Sequence, residues 1–180
     1  MFVIGDAVFT QARLARTFER ARTASDQRTP LVPAGKPVIS KVGRAPFAPR
    51  DVSTLGRLEI ARIGIDTMIL NGTDSRTLRV GLGLIPGTAR PGEPGNVAIA
   101  GHRDTFFRPL RGIRKGDEIV LETSVRDYRY YVSSIEIVDP TDVKVLRSHQ
   151  QNELTLVTCY PFSYIGRAPK RFIVHAVLAE

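Results

Sequence analysis

A single cysteine, Cys159, ends the apolar run LTLVTC, and a histidine, His102, ends the apolar run NVAIAGH. Thiol and imidazole suit covalent acyl transfer, in which the thiolate attacks and the imidazole moves the proton. A third group, Arg171, opens the run RFIVHAVL. Its guanidinium is a fixed cation with several hydrogen-bond donors, which fits a developing oxyanion. Loop-like sequence follows both the base and the nucleophile, RDTFF after His102 and YPFSYIGRAPK after Cys159. Each group also has a plainer reading. A lone cysteine is either buried filler or a reactive thiol, and it can form no intramolecular disulfide. His102 reads equally as a polar turn residue, and Arg171 as a charge at a sheet edge. His149 falls in a polar loop, RSHQQN, and His175 inside the last apolar run.

Positioning these groups is a matter of strands. From Leu55 onward the chain reads as short segments rich in Val, Ile and Tyr, separated by Gly, Pro, Asn and Asp. The segments are residues 57–63, 67–71, 96–100, 118–122, 128–138, 154–159 and 171–178. If the strands ending at residues 100 and 159 are parallel neighbours, His102 and Cys159 emerge at one sheet edge. If the last strand runs antiparallel to 154–159, Arg171 begins beside Cys159. Little helix is expected here beyond a turn in TFFRPLRGI, interrupted by Pro109, so the fold class is mostly β, a closed or nearly closed barrel. Gly81-Leu82-Gly83, followed by Pro86, resembles a turn more than a phosphate cradle, and no Walker-type loop is present.

Residues 1–22 form an amphipathic, membrane-proximal segment. Within it, residues 7–22 read as a helix with Ala7, Leu14, Phe18 and Ala21 on one face and Arg13, Arg16 and Arg20 elsewhere. Residues 23–54, with Pro30, Pro33, Pro37, Pro46 and Pro49, read as a linker. Residues 55–180 form the third unit, the barrel.

At 180 residues the chain holds one well-buried domain plus an accessory segment, and 42% hydrophobic with 24% charged residues is an ordinary composition for a globular protein. The net charge of +8 is uneven, with nine Lys/Arg against three Asp/Glu in residues 1–50 and seventeen against fifteen thereafter. A basic arm is usually a solvated tail and less often a contact for anionic lipid, cell-wall polymer or nucleic acid. No apolar stretch reaches the roughly 18 residues of a bilayer span. The start, MFVIGDAVF, lacks a charged leader region and a small-residue cleavage site, so it is not a signal peptide, but it fits the tail of a membrane anchor. No Cys/His cluster has the spacing of a zinc site.

Taken together the motifs resemble one family. Thr155-Leu156-Val157-Thr158-Cys159 matches the TLxTC motif of sortases, and Arg171 opens a strand shortly after it, as the sortase arginine does. GTARPGEPGNVAIAGHRDTFFRPL is similar to the family's block around its histidine. AGHRDTFF and TCYPFSYIGRAPKRF resemble the class D branch. The resemblance spans about residues 55–178. It implies a closed eight-stranded barrel with short helices and an N-terminal helix. It also implies catalysis by His102, Cys159 and Arg171, with no cofactor and no metal. By their place in the motifs, Ala100 and Val157 are expected to line the groove for Leu-Pro of a Leu-Pro-x-Thr-Gly (or Thr-Ala) signal, with plain barrel packing as the alternative. Thr158 is expected to orient the thiol or donate its backbone amide.

The partners implied are secreted proteins with a C-terminal sorting signal, a peptidoglycan or other amine acceptor, and the membrane through an anchor missing from this chain. The resemblance gives no nucleic-acid partner and places the enzyme on the extracytoplasmic face of the cell membrane. Residues 14–22 resemble the segment that follows such an anchor. The chain lacks the Asp-Pro-aromatic lid of the pilus-building branch, which favours an open site. Arg167, in the same loop, is a second candidate arginine. Two other readings stay open: a cysteine protease that gives the acyl group to water, and a non-enzymatic module whose basic arm grips an anionic polymer. L,D-transpeptidases set their cysteine in a Ser-x-Gly-Cys context that this chain lacks.

Overall fold

The computed structural model describes residues 3–26, 54–148, 152–164 and 166–179. Residues 27–53 of the expected linker, and His149, lie outside them. Within these residues the chain forms helices α1 (Val3–Asp26) and α2 (Ser75–Val80). It also forms strands β1 (Thr54–Ile60), β2 (Ile65–Asn71), β3 (Leu82–Leu84), β4 (Asn96–Ala100), β5 (Glu118–Glu122), β6 (Asp127–Val138), β7 (Glu153–Tyr160) and β8 (Lys170–Leu178). The eight strands close a barrel in the order β1-β2-β3-β4-β7-β8-β6-β5, with β5 paired back to β1. Closure leaves no open sheet edge, the usual liability of a β-protein. The core inside it is aliphatic, with Leu58, Ile60, Ile69, Leu82, Ile99, Leu121, Leu154, Leu156 and Val174 fully buried around Phe107.

Two joints position the site. β4 runs parallel to β7, from Asn96 opposite Glu153 to Ala100 opposite Val157. β8 runs antiparallel to β7, placing Arg171 directly opposite Cys159. A polar chain, buried at its Asn96–Thr155 end, fixes this register. Thr155 donates to Asn96 Oδ1 (2.9 Å) and meets His175 Nδ1 (3.2 Å), while His175 Nε2 meets Glu136 Oε1 (2.9 Å). Thr155 and Asn96 are buried, so a slipped register would strand their polar atoms without partners.

Three elements differ from the sequence expectation. Gly81-Leu82-Gly83 is no turn, because Leu82–Leu84 is a strand that pairs parallel with β2 and antiparallel with β4. A Cβ at Gly83 would run into the Gly72 carbonyl oxygen and reach within 3.0 Å of Leu78 Cδ2, so the glycine permits a close approach of backbones. Before it, α2 was not expected. Asp74 caps it, accepting from the Arg76 and Thr77 amides at 2.9 and 3.1 Å. The segment expected as one strand over 57–63 divides, with its last three residues, Ala61–Ile63, forming a 3-10 turn.

α1 lies against the barrel by a face that mixes polar and apolar groups. Phe18 is buried and Leu14 half-buried, whereas Ala21 is exposed and the Ala7 side chain lies outside the described part. Gln11 accepts from the Met68 amide (2.9 Å) and donates to the Val80 carbonyl. Arg22 pairs with Glu122 (3.4 Å) and Asp127 (3.1 Å). A hydrophobicity pattern cannot see a docking face whose partners are backbone groups and carboxylates.

Asp117, just before β5, is a heavily tied carboxylate. Both its oxygens accept from Arg62, and one also accepts from the Arg114 amide (2.7 Å). The Arg62 guanidinium holds its carboxyl below the usual carboxylate range. A carboxyl whose pKa is depressed on folding stabilises the fold above its unfolded pKa, and that stabilisation fades as pH falls through the folded value. Asp117→Asn is therefore expected to lower stability at neutral pH by about 1–2 kcal/mol, a discounted figure because Arg62 remains partly solvated. It is also expected to flatten the loss of stability below about pH 4. Urea unfolding followed across pH checks both, and an acid limb as steep as that of the parent chain would contradict the assignment.

Candidate active site

The ends of β4, β7 and β8 meet at the rim of one cleft of about 690 Å³, lined by His102, Arg103, Asp104, Pro140, Cys159, Gly166, Arg167, Ala168, Pro169 and Arg171. His102 lies two residues beyond Ala100, and Cys159 two beyond Val157, so the parallel register of that pair carries both groups to the same edge. Hydrogen bonds continue the joint past the strand end: Gly101 N donates to Val157 O (3.2 Å). The Thr158 hydroxyl, buried, donates to Gly101 O (2.7 Å). The residues before the imidazole and before the thiol are thus bonded to each other. His102 is itself held by a tight turn, its carbonyl accepting from Thr105 N (3.4 Å) and Phe107 N (3.1 Å), with Phe107 fully buried.

Cys159 is free and half-buried. A half-buried thiol in the lining of a cleft that His102 and Arg171 also line differs from inert buried filler. Arg171 fixes its guanidinium locally, with Nη1 donating to Lys170 O (3.0 Å) and Ala168 O (3.4 Å). Behind the thiol, Tyr160, Phe162 and Phe172 form an aromatic cluster with centroids 5.1 to 6.2 Å apart. That cluster backs the loop joining β7 to β8.

Of the residues singled out from sequence, the structure brings His102, Cys159 and Arg171 to one cleft. Ala100 and Val157, half-buried register partners, stand just behind it and are not part of its lining. Thr158 donates its hydroxyl to Gly101 O and is not part of the cleft lining. Arg103, Asp104 and Pro140 were missed. Arg103 and Asp104 were visible beside His102 in GHRDTFF, but nothing in their spacing marked them. Arg167 lines the cleft as well, yet Arg171 alone of the two is in register with Cys159. The cleft therefore holds three guanidiniums and one carboxylate, a strongly cationic setting for a thiolate or an oxyanion. Among the described residues no group of His, Cys, Asp and Glu could hold a metal ion.

Comparison with known proteins gives a consistent result. A family model described as Sortase domain matches residues 58–179. The chain is 34% identical over 167 residues to Sortase D of Bacillus subtilis (strain 168), covering 92% of this chain and 84% of that protein. It is 28% identical over 153 residues to Sortase A of Bacillus anthracis, covering 81% and 70%. Among solved structures it is similar to a Clostridium perfringens Sortase D5 transpeptidase, at a TM-score of 0.68 and 26% identity, covering 95% of this chain and 96% of that one. It is also similar to Clostridium perfringens sortase C solved with the C-terminal cell wall sorting motif, at a TM-score of 0.66 and 28% identity, covering 72% of each chain.

Proposed function

This chain belongs to the sortase family of transpeptidases, in its class D-like part, and from that premise we propose that it cleaves a Leu-Pro-x-Thr-Gly-like sorting signal after Thr and transfers the acyl group to an amine of the cell wall. The observation that carries the reading is the register that sets Arg171 opposite Cys159 while the parallel β4–β7 pair delivers His102 to the same rim.

The Cys159 thiolate attacks the Thr carbonyl carbon, a C–S bond forms, and the carbonyl π electrons move to oxygen. Arg171 offers charged donors to that oxyanion. As the tetrahedral centre collapses, the C–N bond breaks and the His102 imidazolium gives its proton to the leaving amine. The thioester then meets an acceptor amine. The new C–N bond forms, the amine's proton passes to His102, and the C–S bond breaks to return the thiolate. Ala100 and Val157, half-buried beside the cleft and outside its lining, keep exposed apolar surface for Leu-Pro of a signal that extends past the cleft. Thr158 acts by locking the strand ends through Gly101, and its backbone follows the thiol into place.

Secreted proteins bearing the signal are the donors, and a peptidoglycan peptide amine is the acceptor. Sortases are cell-surface or membrane-associated enzymes, and we place this one on the extracytoplasmic face of the membrane. No helix among the described residues is long and apolar enough to cross a bilayer.

Intact-mass spectrometry of the protein with a labelled Leu-Pro-x-Thr-Gly peptide is expected to show an adduct on Cys159 equal to the peptide minus its Gly-terminal fragment. Adding an amine should discharge it as amide product. Hydrolysed peptide alone at saturating amine would make the chain a cysteine protease instead.

A further inference from the structure

We propose that Arg103 is a positioning residue that ties the β7–β8 loop to the His102 segment and so sets the shape of the cleft that receives the peptide. The inference rests on the sortase reading of the cleft and adds to it a residue with no assigned task in the reaction above.

Arg103 follows His102 on the segment anchored by Phe107, which is fully buried. Its Nη2 donates to Tyr164 O (2.6 Å) and to Gly166 O (3.0 Å), more than sixty residues away in sequence. The guanidinium also lies 5.9 Å from the Tyr164 ring centroid. The loop it grips turns at Gly166, where φ is +101°, a conformation that favours glycine. Next come Arg167, Ala168 and Pro169, all lining the cleft. Ala168 O in turn accepts from Arg171 Nη1 (3.4 Å). One side chain thus links the loop of the proposed base to the loop of the proposed oxyanion donor.

The loop's first residues are tied by the Phe162 ring, which packs on the barrel core and on Phe172, whereas around Tyr164 and Gly166 the described residues offer few other bonds. Within it, Tyr164 N donates to Pro161 O (3.3 Å), and Tyr164 is exposed. Segments with few buried contacts open at low cost, so a charged nitrogen donating to two of their carbonyls changes their populations strongly. The anchor also carries a penalty. Arg103 Nη1 is buried with no hydrogen-bond partner, the one such side-chain atom among the described residues. An unpaired buried donor is unfavourable, and the two carbonyl bonds of Nη2 offset it. Lysine keeps the charge but is shorter and lacks the planar guanidinium that lies beside the Tyr164 ring.

Arg103→Met and Arg103→Lys test the idea on the full chain. In Arg103→Met, hydrogen exchange of the loop amides over residues 160–169 is expected to quicken by about tenfold or more. KM for a Leu-Pro-x-Thr-Gly peptide should rise about tenfold, the worth of one charge-assisted hydrogen bond, with kcat held within about threefold. Arg103→Lys should restore less than half of the lost affinity, and it carries the same test should the methionine variant fail to fold. Alkylation of Cys159 by iodoacetamide should proceed at the parent rate. Parent-like exchange overturns the proposal, and so does faster exchange with an unchanged KM, or a fall in kcat alone. If the parent chain acylates with no sorting peptide, the sortase substrate reading fails instead, and loop exchange alone then decides whether Arg103 is the anchor.

Discussion

Cys159→Ala is expected to remove acyl-adduct formation altogether and to lower transpeptidation by about four orders of magnitude or more, the scale seen when a covalent nucleophile is deleted. Alanine keeps the Cβ and removes one sulfur from a half-buried site, so the barrel should lose less than about 1 kcal/mol. Loss of activity with an unchanged melting curve therefore isolates chemistry from folding. Cys159→Ser sharpens the test, because the hydroxyl matches the thiol in size but stays protonated where a thiol ionises. The serine variant should bind peptide with near-parent affinity and turn it over at a rate close to that of alanine. Full function in Cys159→Ala, lost on deleting residues 1–50, would instead support a module whose basic arm grips an anionic polymer.

Part of this site was legible because two apolar strands end on reactive residues. NVAIA and LTLVT carry β-branched and aliphatic residues right up to His102 and Cys159, and the loops begin just beyond. The parallel pairing of β4 with β7 was a supposition, since periodicity shows that a strand exists but not which strand it meets. The structure supplies the missing term in the Asn96–Thr155 hydrogen bond, a polar pair that an apolar pattern passes over. β3 went unread for a related reason. Leu82-Gly83-Leu84 is three residues long and flanked by breaks, so it carries no period, and its pairing rests on the backbone approach that Gly83 permits. The docking face of α1 was misjudged at Ala21 because the barrel there presents Glu122 and Asp127 to Arg22, along with the Met68 amide and Val80 carbonyl to Gln11. The contacts of Arg103 went unread for the same physical cause. Its partners are two backbone carbonyls of a distant loop, and backbone carbonyls leave no mark in a sequence.

Arg171→Lys is expected to lower kcat by about 10²- to 10³-fold, as the removal of an oxyanion donor does, with KM for the peptide changed far less. The charge survives in that variant, so the loss measures geometry. In the parent chain Nη1 is held by Lys170 O at 3.0 Å and Ala168 O at 3.4 Å, which fixes the plane of the guanidinium opposite Cys159. Its remaining donors make no other bond among the described residues, and we propose that they meet the oxyanion. An ammonium on a flexible stem can serve the two carbonyls or reach toward the substrate, but it has no second arm to do both. Arg171→Ala should fall at least as far and recover in part with added guanidinium, since a small planar cation can occupy the space the side chain leaves. Arg167→Lys provides the contrast: it lines the same cleft from a loop position outside the β7–β8 register, and its kcat should stay within about threefold of the parent. The reverse pattern, with Arg171→Lys active and Arg167→Lys silent, would move the oxyanion role to Arg167. It would also mean that the strand register opposite Cys159 positions a structural cation, with the chemistry borne by the loop.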